Sequence, residues 1–261
     1  KGPFSLFYNL KGRSLVGLDN QWHSVSNHFY CLSNQDQHFS LHIPREEVTT
    51  TSNIHFGQKL YQDVVQNQSH SSNWLLDNMN NTLVTDLELL AKTAFMISEL
   101  QSKIQALHTY QQQNESDYSP DKEYEMTGSI LEHLLFVNSQ ELRKIELVSA
   151  QKVATRKELF KRVNLGIDFI HSHELKNLKL DSISRNCGLS KFHFIRVFKE
   201  VYGLTPSNYI SGLRAKKAHS LLGDQERDLQ SIALELGFSE LSAITRFYKR
   251  HTGQSPSARR N

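Results

Sequence analysis

The sequence has few cysteines and no long apolar stretch. Its 261 residues include two cysteines, Cys31 and Cys187. Two thiols do not make a disulfide framework, so we expect the protein to be located in the reducing cytoplasm. No run reaches the roughly 18 apolar residues that a membrane-spanning helix needs, so we predict no membrane association. The first residues, from Lys1 to Phe4, are not followed by the apolar segment of a secretory signal.

The sequence also lacks the motifs of common enzyme classes. Gly12 and Gly17 have part of the spacing of a phosphate-binding loop, but no Lys-Ser or Lys-Thr pair accompanies them. No Ser-His-Asp arrangement or dinucleotide fingerprint is recognisable either. We therefore expect no catalytic residue and no cofactor.

Basic charge is concentrated in the second half of the chain. Residues 156–261 carry 19 Lys and Arg against 10 Asp and Glu, a balance of +9, whereas residues 1–155 carry 11 against 17, a balance of −6. Such an asymmetry favours a polyanionic partner for the basic part only. An uneven solvated surface is the alternative that composition leaves open.

Residues 1–65 have the pattern of strands. Apolar side chains alternate with smaller or polar ones from Phe4 to Leu10 and again from Phe39 to Ile43, with turn residues between the two stretches. This pattern predicts a small sheet at the start of the chain.

From about Trp74 the apolar period becomes that of helices. We predict one long helix over about 74–110 and a second over 126–153. The apolar face of the first helix has a near-heptad rhythm, so it either packs on the domain's own sheet or forms a homodimer through residues 83–108.

Two stretches near the end of the chain repeat each other. Gly-x-Thr-Pro ends at Pro206 and Gly-x-Ser-Pro ends at Pro256, and further landmarks align when both are read backwards. The offset is 49 residues up to a shared serine and 50 beyond it, which indicates a duplicated unit with one extra residue in the second copy. The paired landmarks are Leu180 and Leu229, Ile183 and Ile232, Gly188 and Gly237, Ser190 and Ser239, Phe198 and Tyr248, and Lys199 and Lys249.

Each landmark has a physical reason. The apolar pair gives a short helix its buried face, and the glycine suits the left-handed residue that ends that helix. The serine is placed to cap the next helix, and the proline suits the first turn of the helix after it. This order is that of a helix-turn-helix, whose second helix can enter a DNA major groove. We predict two such units, over about 180–201 and 229–250, joined by a linking helix over about 206–222.

These residues resemble the DNA-binding domain of the AraC/XylS family of bacterial transcription regulators. The resemblance covers about 156–258 and is carried by LSKFHFIRVFKEVYGLTPSNYISGLRAKKAHSLL and IALELGFSELSAITRFYKRHTGQSP. It implies an all-α domain of seven helices over 156–261 and a sensor and dimerisation region over 1–155, often a cupin-like barrel. The predicted fold is therefore α+β in two parts, with a reduced cupin-like sheet and long helices in front. Lys179 departs from the pattern, because the second unit has the helix-capping Asp228 at the matching position.

The first half offers few ligand signals. Cupin metal sites usually carry His-x-His with a later Glu, and residues 1–150 contain no His-x-His, so we expect no metal. We interpret its clustered histidines as surface or hydrogen-bonded residues. A small-molecule effector is possible in a pocket lined by aromatic residues, although core packing is the commoner role for them. The histidines are His23, His28, His38 and His42, and the aromatic residues are Trp22, Phe29, Tyr30 and Phe39.

We predict that the outward faces of the two recognition helices contact DNA. Arginine can fork onto guanine O6 and N7, and Glu240 could either accept from cytosine N4 or offset the helix dipole. Other polar and basic side chains attract phosphate without reading sequence. The predicted base contacts are Lys191, Phe192, His193, Arg196, Glu240, Leu241, Ser242, Thr245 and Arg246, and the predicted phosphate contacts are Ser190, Ser239, Lys249 and Arg250.

The sequence thus predicts a sequence-specific, effector-responsive transcription activator. Its expected partners are double-stranded DNA and RNA polymerase, with a small-molecule effector and a second copy of the chain as further candidates. The alternatives are a cupin-like enzyme fused to a DNA-binding module and a non-specific nucleic-acid-binding protein.

Overall fold

The computed structural model describes residues 3–45, 48–70, 92–112, 118–173 and 178–260. The chain divides into two compact units, of which the first ends at Glu146 and the second begins at Leu147. Among the described residues, no helix is both long enough and apolar enough to cross a membrane.

Two antiparallel sheets build the first unit. Their strands are β1 (Phe4–Lys11), β2 (Ser14–Leu18), β3 (Gln21–Val25), β4 (Phe29–Ser33), β5 (Phe39–His42), β6 (Thr50–Phe56) and β7 (Thr93–Phe95). One sheet has the strand order β6-β1-β4-β7 and the other β3-β2-β5. Side chains from both sheets form a small apolar cluster that includes Phe7, Val16 and Cys31.

The strand prediction for residues 1–65 is right as far as Phe56 and wrong beyond it. Residues Gln58–His70 form helix α1. Leu60 and Val64 lie four residues apart, so on a helix both face the same side, and both are buried in the main core of the unit. The change of period therefore comes about 15 residues before the position predicted from the sequence.

The long helix predicted over about 74–110 is only partly present. Its segment 71–91, with the near-heptad positions Leu83, Leu87 and Leu90, lies outside the described residues. Thr93–Phe95 is a strand, because it pairs with β4 and completes the sheet edge. Helix α2 (Ser98–Gln111) follows and buries Ile104 in the unit's own core, as the first of the two interpretations predicted.

The second predicted helix, 126–153, begins earlier and ends sooner. Helix α3 spans Pro120–Arg143, since a proline suits the first helical turn, and a 3-10 turn follows at Lys144–Leu147. Ile145 and Val148 are buried after α3 has ended, so this tighter turn replaces the predicted continuation.

Helices make up the described part of the second unit. There are seven of them in that part, as the resemblance implied. They are α4 (Val153–Ser172), α5 (Leu180–Asn186), α6 (Lys191–Tyr202), α7 (Pro206–Leu222), α8 (Leu229–Glu235), α9 (Leu241–Thr252) and α10 (Pro256–Arg260). The bounds of α5 to α9 follow the predicted helix-turn-helix units and linking helix closely. The assignment of the two parts of the chain to sensing and DNA binding stays a prediction.

Candidate DNA interface

The two helix-turn-helix units have the same turn. Gly188 follows α5 with φ 63° and Gly237 follows α8 with φ 82°, both in the left-handed region that glycine occupies without strain. In each unit the next residue donates its N–H to the carbonyl five residues back, at 3.0 Å in the first and 2.9 Å in the second. The duplication read from the sequence is therefore a duplication of backbone geometry.

The recognition helices begin differently. The Ser190 side chain caps α6 by accepting a hydrogen bond from the His193 N–H at 3.3 Å. The matching prediction for Ser239 is wrong, because α9 begins two residues later at Leu241 and its cap position is Glu240, whose side chain makes no capping bond. The extra residue of the second helix-turn-helix unit lies in this turn. Arg196 and Arg246 consequently occupy the same position, the sixth, of their helices.

Buried aromatic and aliphatic side chains set the direction in which each recognition helix faces. Phe194 and Phe198 are fully buried on α6, and Ile244 and Tyr248 are fully buried at the matching positions of α9. The Tyr248 hydroxyl also pairs with His219 Nδ1 of α7 at 2.7 Å. With one face fixed in the core, helical periodicity turns the sixth position of each helix toward solvent.

The outward face of α6 carries aromatic and basic side chains. Phe192 is 84% exposed, which is unusual for a side chain of this size. Arg196 is 53% exposed and pairs with Glu200 one turn later, at 2.8 Å between Nη1 and Oε1. Lys191 reaches back to Asp181 on α5 at 3.1 Å. These predicted contact residues therefore lie on one accessible face.

The outward face of α9 is less basic near its start. Glu240 accepts from the Ser242 hydroxyl at 3.0 Å, and Thr245 donates to the Leu241 carbonyl at 2.8 Å. Leu241 and Arg246 are exposed. Glu240 and Ser242 are exposed as well, whereas Thr245 is half-buried, and the hydroxyls of Ser242 and Thr245 are already engaged in local hydrogen bonds.

The residues predicted to contact phosphate are also accessible. Ser190 and Ser239 are exposed at the starts of the recognition helices, and Lys249 and Arg250 are exposed in the last turn of α9. Glu200 was missed by the sequence analysis. Its spacing of four residues from an arginine on a helix is the signal that would have found it.

An ion-pair network ties the second helix-turn-helix unit to the linking helix. On α8, Glu235 pairs with two basic residues. Its Oε1 lies 2.9 Å from Nζ of Lys217 on α7, and its Oε2 lies 2.7 Å from Nη2 of Arg227. Burial raises the pKa of this carboxyl, but the hydrogen bonds and positive charge of its two partners outweigh burial and hold the pKa below its usual value. The carboxylate is thus charged at neutral pH and fixes α8 against α7.

Two of the four aromatic residues predicted to line an effector pocket border the same groove. Trp22 and Phe39 line an open groove of about 910 Å³, to which Gly17 also contributes. Tyr30 belongs to the buried core, and Phe29 packs edge-on against Phe95 with ring centroids 5.5 Å apart. Within the described part of the chain, no three His, Cys, Asp or Glu residues are grouped as metal ligands.

Comparisons with known proteins find similarity in the part of the chain that forms the second compact unit. A family model described as a helix-turn-helix domain covers residues 183–261. The chain is 33% identical over 82 residues to the probable transcription factor PqrA of Proteus vulgaris, covering 31% of this chain and 67% of that protein. It is 38% identical over 92 residues to the transcriptional regulator ExsA of Pseudomonas aeruginosa, covering 35% of this chain and 33% of ExsA, so it spans about a third of that relative.

The comparison with solved structures also finds a similar protein. A transcriptional regulator from Chromobacterium violaceum, described as containing an AraC-type DNA-binding domain, is 26% identical, with a TM-score of 0.36. The match covers 38% of this chain and 88% of that one.

Proposed function

The chain belongs to the AraC family of DNA-binding transcription regulators, and we propose that it reads two successive major grooves of one duplex with α6 and α9. The observation that carries this proposal is the equivalence of the two units. Each presents an exposed arginine at the sixth position of a helix whose opposite face is buried. Two equivalent recognition helices in one chain are suited to two half-sites in one operator.

Arg196 and Arg246 are the proposed base readers. A guanidinium that forks onto guanine O6 and N7 discriminates against other bases by about 1–3 kcal/mol. Phe192 adds apolar contact with a thymine methyl group, for which its exposure makes it available. Lys249 and Arg250 attract phosphate, so binding weakens as salt rises.

The linking helix supports the proposed spacing. Helix α7 has 17 residues, which corresponds to about 25 Å of length. We infer that, with the width of the two helix-turn-helix units added, the recognition helices lie about 34 Å apart, one turn of B-DNA. We infer half-sites about ten base pairs apart on one face of the duplex.

Family membership and charge support the finer features of this proposal. We propose that it activates transcription through RNA polymerase in the cytoplasm, and that the acidic first part of the chain senses an effector. A homodimer through residues 83–108 remains part of the proposal, although α2 already buries Ile104 in its own core. Sedimentation of the full chain across a concentration series would measure the oligomeric state.

Selection of bound duplexes from a random pool, followed by footprinting, tests the proposed function. We expect the wild-type protein to select two guanine-containing half-sites and to prefer them to random DNA by 10³ or more. Arg196→Ala should weaken binding to the selected duplex about 5- to 150-fold and binding to random DNA much less.

Lys249→Ala is the matched control for a phosphate contact. It should weaken selected and random duplexes by the same factor and lower the salt dependence of binding. Equal losses on both duplexes for Arg196→Ala would contradict base reading by this residue. A wild-type preference of only a few-fold would instead indicate a non-specific nucleic-acid-binding protein.

A further inference from the structure

The Glu200 carboxylate joins the first recognition helix to the start of the second compact unit, which begins at Leu147. Its Oε1 accepts from Arg196 Nη1 at 2.8 Å, and its Oε2 accepts from the backbone N–H of Ser149 at 3.1 Å. Only 19% of the Glu200 side chain is exposed, against 53% for Arg196. One carboxylate therefore holds both a proposed base reader and a backbone group 51 residues earlier in the chain.

The backbone that Glu200 holds belongs to residues 147–152, which we name the connecting segment. It precedes α4, and through it the chain passes from the first unit into the second. Val148 in this segment is buried, and its carbonyl accepts from the Ala150 N–H at 2.8 Å. Ser149 contributes its main chain to the contact, while the residue itself is exposed.

The second recognition helix lacks this arrangement. The residue one turn after Arg246 is Arg250, where α6 has Glu200. Among the described residues, Arg246 has no acidic partner, so its guanidinium is not held by a neighbour on the helix. The same chain thus contains a held and an unheld arginine at equivalent positions, which gives an internal comparison.

We propose that Glu200 is a positioning residue, which orients Arg196 for base reading and makes that orientation depend on the connecting segment. The proposal rests on the proposed function, because it assumes that Arg196 reads a base. An arginine side chain has five N–H donors, and Glu200 occupies one nitrogen, which leaves donors for a guanine fork. Fixing a long side chain before binding removes part of the entropy that binding would otherwise cost.

The Ser149 N–H makes Glu200 more than an ordinary surface partner. An exposed pair four residues apart on a helix contributes little, because two long side chains must be ordered at once. Here the second carboxylate oxygen is already held by the backbone, so Glu200 presents the first one in a fixed direction. A displacement of the connecting segment would release the carboxylate and with it the preferred orientation of Arg196.

The test compares guanine preference at the two half-sites of the selected duplex. Each half-site guanine is replaced in turn, and the ratio of binding constants is measured for the wild type and for Glu200→Gln. We expect Glu200→Gln to reduce the preference at the half-site read by α6 about three- to tenfold and to leave the other unchanged. Glu158→Gln is the matched control, since it neutralises the carboxylate that pairs with Arg162 at 2.7 Å on α4, and both preferences should persist.

The backbone contact is tested separately. Ser149→Pro removes the N–H that Glu200 accepts, and we expect it to reproduce the selective loss, whereas Ser149→Ala keeps the N–H and should behave as wild type. Full preference in Glu200→Gln, or equal losses at both half-sites, would overturn the positioning role. Full preference in Ser149→Pro would overturn the dependence on the connecting segment.

Failure of the proposed function has a different signature. If the wild type shows no guanine preference at the α6 half-site, Arg196 does not read a base there, and the premise fails before Glu200 is changed. The positioning role is overturned on its own when the wild type and Arg196→Ala differ in this preference, but Glu200→Gln either keeps the wild-type preference or loses it equally at both half-sites.

Discussion

Gly166 on α4 lies where the first recognition helix is seated. A Cβ added to it would stand 2.7 Å from Cε2 of Phe194 and 2.8 Å from Sγ of Cys187, both closer than real Cβ contacts allow. Both neighbours are buried, so neither can move into solvent. We therefore predict that Gly166→Ala pushes α6 away from α4 and destabilises the second unit.

A second helical glycine isolates the steric cost. Gly212 lies on α7, and a Cβ there would meet no atom within 4 Å. Both substitutions gain about 1 kcal/mol of helix propensity, because alanine loses less backbone entropy than glycine. Only Gly166→Ala also incurs overpacking, at about 1–3 kcal/mol. The free energies of unfolding of the two variants should therefore differ by about 1–3 kcal/mol, with Gly212→Ala the more stable.

Hydrogen exchange measured by mass spectrometry on the full chain provides the assay. Both tryptophans, Trp22 and Trp74, precede the second unit, so their fluorescence does not report on α6. Peptides that cover α6 should exchange about 5- to 150-fold faster in Gly166→Ala than in Gly212→Ala. Equal protection in the two variants would refute the reasoning, because the close packing of α4 on α6 would then carry no cost.

Three further predictions concern a cap, a histidine and a thiol. Lys179→Asp should stabilise the second unit by about 1 kcal/mol in urea unfolding, since Lys179 makes no capping bond and Asp228 caps the matching helix, and Lys179→Ala should give no gain. Burial, and then the charge of Lys92, lower the pKa of His23 to about 4. The neutral imidazole should therefore contribute its full stabilisation above pH 6.5, and the free energy of unfolding should fall by about 3 kcal/mol as the pH drops toward 4. Tryptophan fluorescence during acid titration measures this, and a flat profile in that window would contradict it. Burial raises the pKa of Cys187 to about 12, so a maleimide at pH 7 should label this thiol only after unfolding, and rapid labelling of the folded chain would contradict its burial.

The second unit was predictable because its signals are local. Gly188 and Gly237 end their helices in the left-handed conformation, and Pro206 begins the linking helix as expected. Each of these positions depends on residues within one or two helical turns. The duplication strengthened the prediction, because every landmark had a partner 49 or 50 residues away against which it could be checked.

The first unit was harder because its structure depends on distant partners. Thr93–Phe95 became a strand by pairing with β4, about 60 residues earlier in the chain, which no local pattern encodes. Ser239 shows the same limit on a smaller scale. It matched the capping serine of the first unit in sequence, but one extra residue in the turn moved the cap position to Glu240.

The candidate DNA interface was also predictable where its signals are local and not where they depend on distant residues. Helical periodicity was enough to predict which side chains of α6 face outward, since the buried Phe194 and Phe198 fix the opposite face. It could not find the contact between Glu200 and Ser149, which joins positions 51 residues apart. Nor could it place Tyr30 in the core while leaving Trp22 at the surface, because that depends on how the two sheets pack.

The most direct test of the account varies the distance between the two selected half-sites in one duplex. A single chain with two reading helices on a rigid linking helix should bind tightly at a spacing of about ten base pairs. At about 15 base pairs the second half-site faces the opposite side of the duplex, and affinity should fall to that of a single half-site. Affinity that does not change between these spacings would contradict the claim that α6 and α9 read adjacent major grooves together.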